Sequence, residues 1–279
     1  MIVTRFAPSP TGFLHLGHAY AAIMASAAGE RFLLRIEDID QARYRPEFET
    51  AIVEDLKWLG LHWDAPVLRQ STRFDAYRAA LSALEAGGLV YPCFCTRKEI
   101  ADEVALASQA PHGPEGSLYP GTCRKLGGAE RAARVADGAA YALRLDASKA
   151  ARLVGTLTFA ESGAGPNGEL GTIDVDPLPF GDVVIARKDT PISYHLAVVV
   201  DDAYQGITLV TRGNDLFAAT HVQRLLQVLL NLPAPRYAHH KLILDEEGQK
   251  FSKRDRAVTL RSLRENGVTP EEVRERIGV

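Results

Sequence analysis

Two histidines near the N-terminus are spaced so that they could act together on an anion. His15 and His18 lie three residues apart, so on a helix their rings project from the same side. Prolines and a glycine in the run 8–12 exclude regular structure just before them. Apolar residues 2–6 predict a strand ahead of this loop, and residues 19–25 predict a buried helix after it. A loop that leads from a strand into a helix N-terminus favours phosphate, because free N–H groups and the helix dipole both attract anions.

Two lysines near the C-terminus offer a second phosphate-binding group. Lys250 and Lys253 flank Phe251 and Ser252, and lysine charges can neutralise the negative charge of phosphate groups. Gly17 lies between the two histidines and has no side chain, so a flat ring such as adenine could approach its backbone. Taken singly, each motif also fits a solvated surface turn. Together they favour a nucleotide site.

The three cysteines indicate a metal site or a structural role. Cys93, Cys95 and Cys123 are too few for a disulfide framework. Three thiolates supply most of the four ligands of a closed zinc site, and Tyr119 or His112 could complete the set. Buried cysteines without a metal are the alternative, since free cysteine packs as a small hydrophobe.

The totals describe an ordinary globular chain of 279 residues that can bury a large core. Hydrophobic residues make up 46% and charged residues 24%, with a formal net charge of −3. This charge gives no general attraction to nucleic acid, so RNA contact would need a local basic surface. No apolar run is long enough to span a bilayer and the N-terminus lacks a signal-peptide pattern, which predicts a cytoplasmic protein.

The order of predicted elements places further polar residues at strand ends. A strand over 31–36 is followed by Glu37, a strand over 207–211 is followed by Arg212, and Val198–Val200 is predicted as a buried strand after Tyr194. Ligands of parallel sheets bind outside the carboxyl ends of strands. The alternation of predicted strands and helices is absent between Cys93 and about Phe180, where Gly, Pro and Ala are frequent. We therefore predict an α/β fold with catalytic halves over 1–92 and 187–279 and an inserted subdomain over 93–186.

The motifs resemble the signatures of the class I aminoacyl-tRNA synthetases. His15-Leu16-Gly17-His18 is similar to the first signature of that class, and Lys250–Arg254 is similar to the second. The longer run Arg5–Gly12 resembles the glutamyl and glutaminyl branch specifically. The resemblance implies a Rossmann-like catalytic domain, with an acceptor-type insertion that meets tRNA.

The resemblance also implies roles for individual residues. Glutamate would be bound by one set of residues, namely Arg5, Phe6, Ala7, Pro8, Ser9, Glu37, Tyr194 and Arg212. ATP, accompanied by Mg²⁺, would contact His15, Gly17, His18 and Lys253, and the catalytic group would comprise His15, His18, Lys250 and Lys253. The carboxylate of Glu37 suits an α-ammonium group, and the planar fork of Arg212 suits the two oxygens of a γ-carboxylate.

The cysteine pattern resembles a short branch of glutamyl-type relatives that glutamylate queuosine. A Cys-x-Cys…Tyr-x-x-x-Cys set is typical of that branch, which favours Tyr119 over His112 as the fourth ligand of a structural zinc. The sequence ends soon after Arg254, whereas full glutamyl-tRNA synthetases continue with an anticodon-binding domain. The resemblance thus implies a monomeric enzyme that activates glutamate with ATP and transfers it to queuosine in tRNA(Asp).

Three alternatives remain open at this stage. The chain could be a glutamyl-tRNA synthetase catalytic fragment that charges tRNA(Glu). It could be a small-molecule nucleotidyltransferase, which shares the His-x-Gly-His loop, or a zinc-stabilised RNA-binding protein without catalysis.

Overall fold

Strands and helices alternate at both ends of the chain, and the middle is richer in short strands. The strands are β1 Val3–Phe6, β2 Arg31–Ile36, β3 Asp64–Arg69, β4 Val90–Cys93, β5 His112–Gly113, β6 Gly116–Ser117, β7 Ala142–Leu145, β8 Thr158–Glu161, β9 Gly171–Asp174, β10 Val184–Ala186, β11 Leu209–Gly213 and β12 Arg236–His240. The helices are α1 Leu16–Ala28, α2 Pro46–Trp58, α3 Phe74–Ala86, α4 Arg97–Leu106, α5 Gly128–Ala136, α6 Ala147–Val154, α7 Tyr194–Tyr204, α8 Ala219–Leu229, α9 Leu260–Glu265 and α10 Pro270–Ile277.

The structure is a computed structural model that describes residues 1–106, 112–113, 116–187, 192–244 and 258–279. For residues 102–106, 112–113 and 116–117 it describes the backbone only. Within these ranges no helix has the length and apolar character needed to cross a bilayer.

Two sets of parallel strands lie edge to edge at the centre of the fold. One set has the order β1-β2-β3, and in the other β11, β12 and β8 run parallel with β9 antiparallel at the edge. They meet where the Thr208 amide donates to the Val3 carbonyl oxygen at 3.0 Å and the Val3 amide donates to Thr208 Oγ1 at 2.9 Å. The carboxyl ends of β1 and β11 therefore lie next to each other, at a reversal of strand order where open α/β sheets bind ligands. The predicted α/β fold class is confirmed.

The described part of the middle of the chain contributes strands to three sheets, of which the smallest is the antiparallel pair β5 and β6. Strands β4, β7 and β10 form a separate antiparallel sheet in the order β10-β7-β4. By contrast, β8 and β9 belong to the sheet of β11 and β12, where Glu161 of β8 pairs with Tyr237 of β12. The segment 93–186 thus contributes to the parallel sheet as well as to its own. Its division from 1–92 and 187–279 as a subdomain stays a prediction.

The strand predicted over Val198–Val200 is wrong, because these residues lie within helix α7. The Ser193 hydroxyl accepts from the Leu196 amide at the start of this helix, as an N-cap side chain does. The helix is buried on several faces, including Leu196 to Val199 and both following aspartates. An apolar run that is buried all round shows no period, so its sequence resembles that of a central strand.

The C-terminal helices pack against the helix that follows the histidine loop. Leu260 and Val273, from α9 and α10, share one hydrophobic cluster with Leu14 and Ala22. The Leu260 amide also donates to the Leu14 carbonyl oxygen at 2.8 Å. The chain is therefore held beside the histidine loop just after residue 258.

A buried carboxylate joins α7 to α3. Asp201 is fully buried and accepts from the Tyr77 hydroxyl at 2.6 Å, from Gln70 Nε2 at 3.0 Å and from Arg73 Nε at 3.0 Å. Three donors, one of them charged, compensate the loss of hydration of this carboxylate. The cluster fixes the rotation of α7, and with it the direction of the neighbouring Asp202.

Replacing Tyr77 by Phe should destabilise the protein by about 1.5–3 kcal/mol, the usual contribution of a hydrogen bond to a charged group. Urea unfolding followed by circular dichroism measures this free energy. Tyr204→Phe is the matched control, since Tyr204 is exposed on the same helix as Asp201 and should lose less than about 0.5 kcal/mol. Equal losses in the two variants would contradict the role given to the Tyr77 hydroxyl.

Candidate active site

A cavity of about 550 Å³ opens at the adjoining ends of β1 and β11. This volume lies in the range of small-molecule sites. Most of the residues predicted from the sequence line it, from both halves of the chain: Arg5, Phe6, Ala7, Ser9, His15, Gly17, His18, Glu37, Tyr194 and Arg212. Residues as far apart in sequence as Arg5 and Arg212 thus face one space.

The two histidines form the rim of the cavity at the start of α1. Their ring centroids are 3.8 Å apart, and the His15 amide donates to His18 Nδ1 at 3.2 Å. A Cβ atom on Gly17 would lie 3.2 Å from two atoms of the His15 ring, which is tighter than ordinary packing. Gly17 therefore lets the His15 ring lie close over the first turn of the helix.

Pro8 is the one described residue of the predicted glutamate and ATP sites that does not line the cavity. Pro8 is buried, and its carbonyl oxygen accepts from the Glu37 amide at 3.0 Å, which fixes the end of β2 instead. Lys250 and Lys253 lie outside the described residues. The described chain on either side of them reaches the site, since Ile243 lines the cavity and Thr259 pairs with His15 in a β-bridge.

A buried carboxylate holds two arginines at one wall of the cavity. Asp202 Oδ1 accepts from Arg5 Nε at 2.9 Å and from Arg35 Nη1 at 2.8 Å. Burial opposes ionisation of Asp202, but the two guanidinium groups outweigh it and keep its pKa below the ordinary value. Asp202 therefore stays charged and joins α7 to β1 and β2.

Glu37 is the second carboxylate of this wall, and it is held less firmly. Its side chain is 9% exposed, and its Oε1 lies 3.7 Å from Arg35 Nη2. Burial raises the pKa of Glu37 to about 7, against the opposing effect of Arg35 and Arg5. A cation placed beside it would favour the ionised form, so the group is suited to an ammonium ligand.

Arg212 is placed quite differently from the other two arginines. Its buried guanidinium donates to His239 Nε2 at 3.1 Å, to Gln223 Oε1 at 2.7 Å and to Thr220 Oγ1 at 2.6 Å. No carboxylate among the described residues forms a salt bridge with it. Its charge is directed at the cavity without being neutralised, which suits an anionic ligand.

Several residues that shape the site were not predicted from the sequence. Arg35 is fully buried beneath the wall, and a charged residue inside an apolar strand was the available signal. Tyr20 and His240 also line the cavity, with ring centroids 4.9 Å apart. Gly213 lines it too, and a Cβ there would lie 2.6 Å from Asp215 Oδ1. Their local sequence carries no signal, because only the approach of distant strands brings them together.

The cysteines form a compact cluster away from this cavity. The Sγ atoms of Cys93, Cys95 and Cys123 all lie within 4.8 Å of one another, and the Cys95–Cys123 distance is 3.4 Å. Ligands of a tetrahedral zinc with Zn–S bonds of about 2.3 Å lie roughly 3.8 Å apart. The Tyr119 hydroxyl is 3.7 Å from Cys95 Sγ, whereas the His112 side chain lies outside the described residues. The donor set fits a metal ion, which would also favour the thiolate of Cys95 against the burial that raises its pKa to about 12.

Comparison with known proteins agrees with this geometry. The family described as "tRNA synthetases class I (E and Q), catalytic domain" matches residues 1–278. The chain belongs to the class I tRNA synthetases. Its α/β architecture agrees with this membership.

Individual relatives indicate which branch of the class I synthetases this chain resembles. A glutamyl-Q tRNA(Asp) synthetase from Rhodobacter capsulatus is 50% identical, with all of both chains covered. Another of the same name, from Nocardia farcinica, is 46% identical over 96% of this chain and 81% of its own. These matches confirm the resemblance to the short glutamyl-type branch.

A solved structure supports the same fold. The glutamate-tRNA synthetase of Elizabethkingia anophelis superposes with a TM-score of 0.72 at 30% identity, over 91% of this chain. The chain spans 53% of that protein's length.

Replacing Glu37 by Gln should change how stability depends on pH. A carboxyl whose pKa is raised to about 7 in the folded state binds its proton more tightly there than in the unfolded chain. The contribution of Glu37 to the free energy of unfolding is therefore fully present below pH about 4.5 and is lost as the pH rises through about 7. Glu37→Gln removes this loss, so the stability of the variant relative to the wild type should increase between pH 5 and pH 7.5.

Urea unfolding at both pH values measures the gain, which we expect to be on the order of 1–3 kcal/mol. Glu47→Gln, at an exposed carboxyl in α2, should show no such trend. A constant difference between Glu37→Gln and the wild type across this range would contradict the proposed environment of Glu37.

Proposed function

We propose that the protein activates glutamate with ATP to form glutamyl-adenylate and transfers the glutamyl group to the queuosine base of tRNA(Asp). The observation that carries this proposal is the guanidinium of Arg212, buried and without a carboxylate partner among the described residues, in the same cavity as the two histidines. Relatives named glutamyl-Q tRNA(Asp) synthetase, matched over nearly the whole chain, supply the identity of the acceptor.

Glutamate would lie between a wall that favours an anion and a wall that favours a cation. Its γ-carboxylate would contact Arg212, and its α-ammonium group would lie beside Glu37, whose pKa of about 7 lets it ionise when a cation arrives. Tyr194 and the residues from Arg5 to Ala7, with Ser9, line the space between them. Pro8 would act only through the backbone that holds Glu37.

This arrangement prefers glutamate to glutamine. The guanidinium of Arg212 can donate two hydrogen bonds to a carboxylate, whereas an amide presents one acceptor and one donor. A donor facing a buried donor leaves both unsatisfied, and such mismatches discriminate strongly between ligands.

ATP would bind across the start of α1. His15 and His18 would contact the phosphates and the backbone at Gly17 would face the adenine, while Mg²⁺ accompanies the phosphates. We assign Lys250 and Lys253 to the same phosphates from the resemblance. Ile243, which lines the cavity, and Thr259, which pairs with His15, lie on either side of these lysines in the sequence, and their positions support the assignment.

The chemistry then depends mainly on placement. The α-carboxylate of glutamate attacks the α-phosphorus of ATP, the bond to the leaving oxygen breaks, and pyrophosphate departs. Positioning and stabilisation of the developing charge supply most of the acceleration in such reactions. A hydroxyl of the queuosine ring next attacks the activated carbonyl and releases AMP.

The cysteine cluster would hold a structural zinc ion. Cys93, Cys95 and Cys123 supply three thiolates and Tyr119 the fourth ligand, next to an antiparallel sheet of short strands. Bound zinc would supply folding energy to a segment with little core of its own.

The decisive experiment uses labelled glutamate, ATP and purified tRNA(Asp) with and without queuosine. Label should appear only on the queuosine-containing tRNA, and it should depend on both ATP and glutamate. The solved glutamate-tRNA synthetase makes charging of tRNA(Glu) the competing outcome. Labelling of tRNA(Glu), or of tRNA(Asp) irrespective of queuosine, would contradict the proposal.

Metal analysis tests the zinc site independently of activity. The purified protein should hold one zinc per chain, and Cys123→Ser should lose it with a lower Tm, because a closed site needs its full ligand set. Tyr119→Phe should bind zinc more weakly than the wild type in competition with a chelator. Tyr141→Phe is the matched control, since the Tyr141 ring packs on Phe94 without a contact to the thiols. Unchanged zinc affinity in Tyr119→Phe would exclude the phenol as a ligand.

A further inference from the structure

Behind Arg212 lies a buried chain of side chains that no assigned role uses. His239 on β12 accepts from Arg212 Nε through its Nε2 atom at 3.1 Å. The other ring nitrogen, Nδ1, lies 2.6 Å from Glu161 Oε2 on β8, with both side chains fully buried. A carboxylate of the middle segment is thus connected, through one imidazole ring, to the arginine of the cavity.

The partners of this chain determine where the imidazole proton lies. Glu161 Oε1 accepts from the amides of His239 at 2.9 Å and Gly163 at 2.8 Å. Burial opposes ionisation of Glu161, but hydrogen bonds from His239 outweigh it and keep its pKa below the ordinary value. An ionised carboxylate only accepts, so Nδ1 of His239 carries the proton and Nε2 keeps its lone pair. That lone pair is what Arg212 Nε donates to.

The packing around the imidazole leaves it little freedom. A Cβ atom on Gly163 would lie 2.2 Å from the His239 carbonyl oxygen, so β12 approaches the end of β8 more closely than any side chain allows. The Phe217 ring lies 5.0 Å from the His239 ring, and the Tyr237 ring is nearly parallel to it at 6.1 Å. The ring plane is therefore fixed, and with it the direction of the Nε2 lone pair.

We propose that Glu161 and His239 are positioning residues for the substrate carboxylate: Glu161 fixes the tautomer of His239, and His239 orients the guanidinium of Arg212 without neutralising its charge. A carboxylate placed directly against Arg212, as Asp202 is placed against Arg5, would compete with the ligand. An imidazole between them keeps the geometry and leaves the positive charge for the ligand. This inference rests on the proposed function only in naming glutamate as that ligand.

The variant Glu161→Gln isolates the tautomer from the packing. A glutamine has nearly the same shape, and its carbonyl oxygen can still accept from the two amides. Its NH₂ group would then face Nδ1 of His239, which must become the acceptor, so the proton moves to Nε2 and faces an N–H of Arg212. Two donors that face each other in a buried site lose an interaction and leave both unsatisfied.

Kinetics of glutamate-dependent pyrophosphate exchange should show this as an effect on glutamate. We expect the KM for glutamate to rise about 10- to 100-fold in Glu161→Gln, with a smaller change in kcat and in the KM for ATP. His239→Gln provides the reference background, because an amide can present a carbonyl to Arg212 whatever residue 161 is. In that background Glu161→Gln should raise the KM for glutamate by less than about threefold. An equal cost in both backgrounds would show that Glu161 acts through packing alone and would overturn the proposal.

Nitrogen-15 NMR of the imidazole tests the tautomer without any assay of activity. In the wild type the signals of His239 should show a protonated Nδ1 and an unprotonated Nε2, and in Glu161→Gln the reverse. A wild-type ring protonated at Nε2 would overturn the proposal even if glutamate is activated. If the spectra are as predicted but glutamate is not activated, the proposed positioning of Arg212 by Glu161 and His239 stands and the proposed function is contradicted.

Discussion

The salt bridge of Asp202 with Arg5 and Arg35 is the interaction on which the rest of this site depends. Two guanidinium groups from neighbouring strands cannot be buried together unless an anion lies between them, because each loses its hydration and repels the other. Asp202 supplies this anion from α7, at 2.9 Å and 2.8 Å. The same contact joins the first half of the chain to the second, at the edge where ligands of parallel sheets bind.

The charges of the cavity follow from this arrangement. Arg5 and Arg35 are balanced by Asp202 and Glu37, whereas Arg212 has only neutral partners among the described residues. Burying a guanidinium in this way is costly unless its N–H groups are satisfied. Here His239, a glutamine and a threonine accept from three of its roughly five N–H donors, which leaves the others for a ligand. One wall is thus near neutral and the other is positive, so the glutamate of the proposed function would have a single orientation.

The middle segment serves both the parallel sheet and the cysteine cluster. Asp182, buried just before β10, accepts from the Tyr91 hydroxyl at 2.5 Å and from Arg124 at 2.9 Å, which anchors the cluster to the antiparallel sheet. A little earlier in the chain, β8 brings Glu161 into the parallel sheet beside β12. A segment whose composition indicates an insertion therefore carries part of the support of the cavity.

The sequence by itself determined the fold class, the histidine loop and half of the residues that line the cavity. The local signals are the spacing of His15 and His18, a glutamate directly after a strand, and three cysteines, whereas the resemblance to the class I synthetases implied the other residues of the site. Tertiary structure alone decided that Val198–Val200 is helical and that the Pro8 carbonyl oxygen accepts from the Glu37 amide. It alone also decided that Arg35, Asp202, Glu161 and His239 support the cavity. The physical reason is that a local pattern records which side chains can be buried or charged. The partner of a buried charge comes from a distant element, and only the packed fold brings the two together.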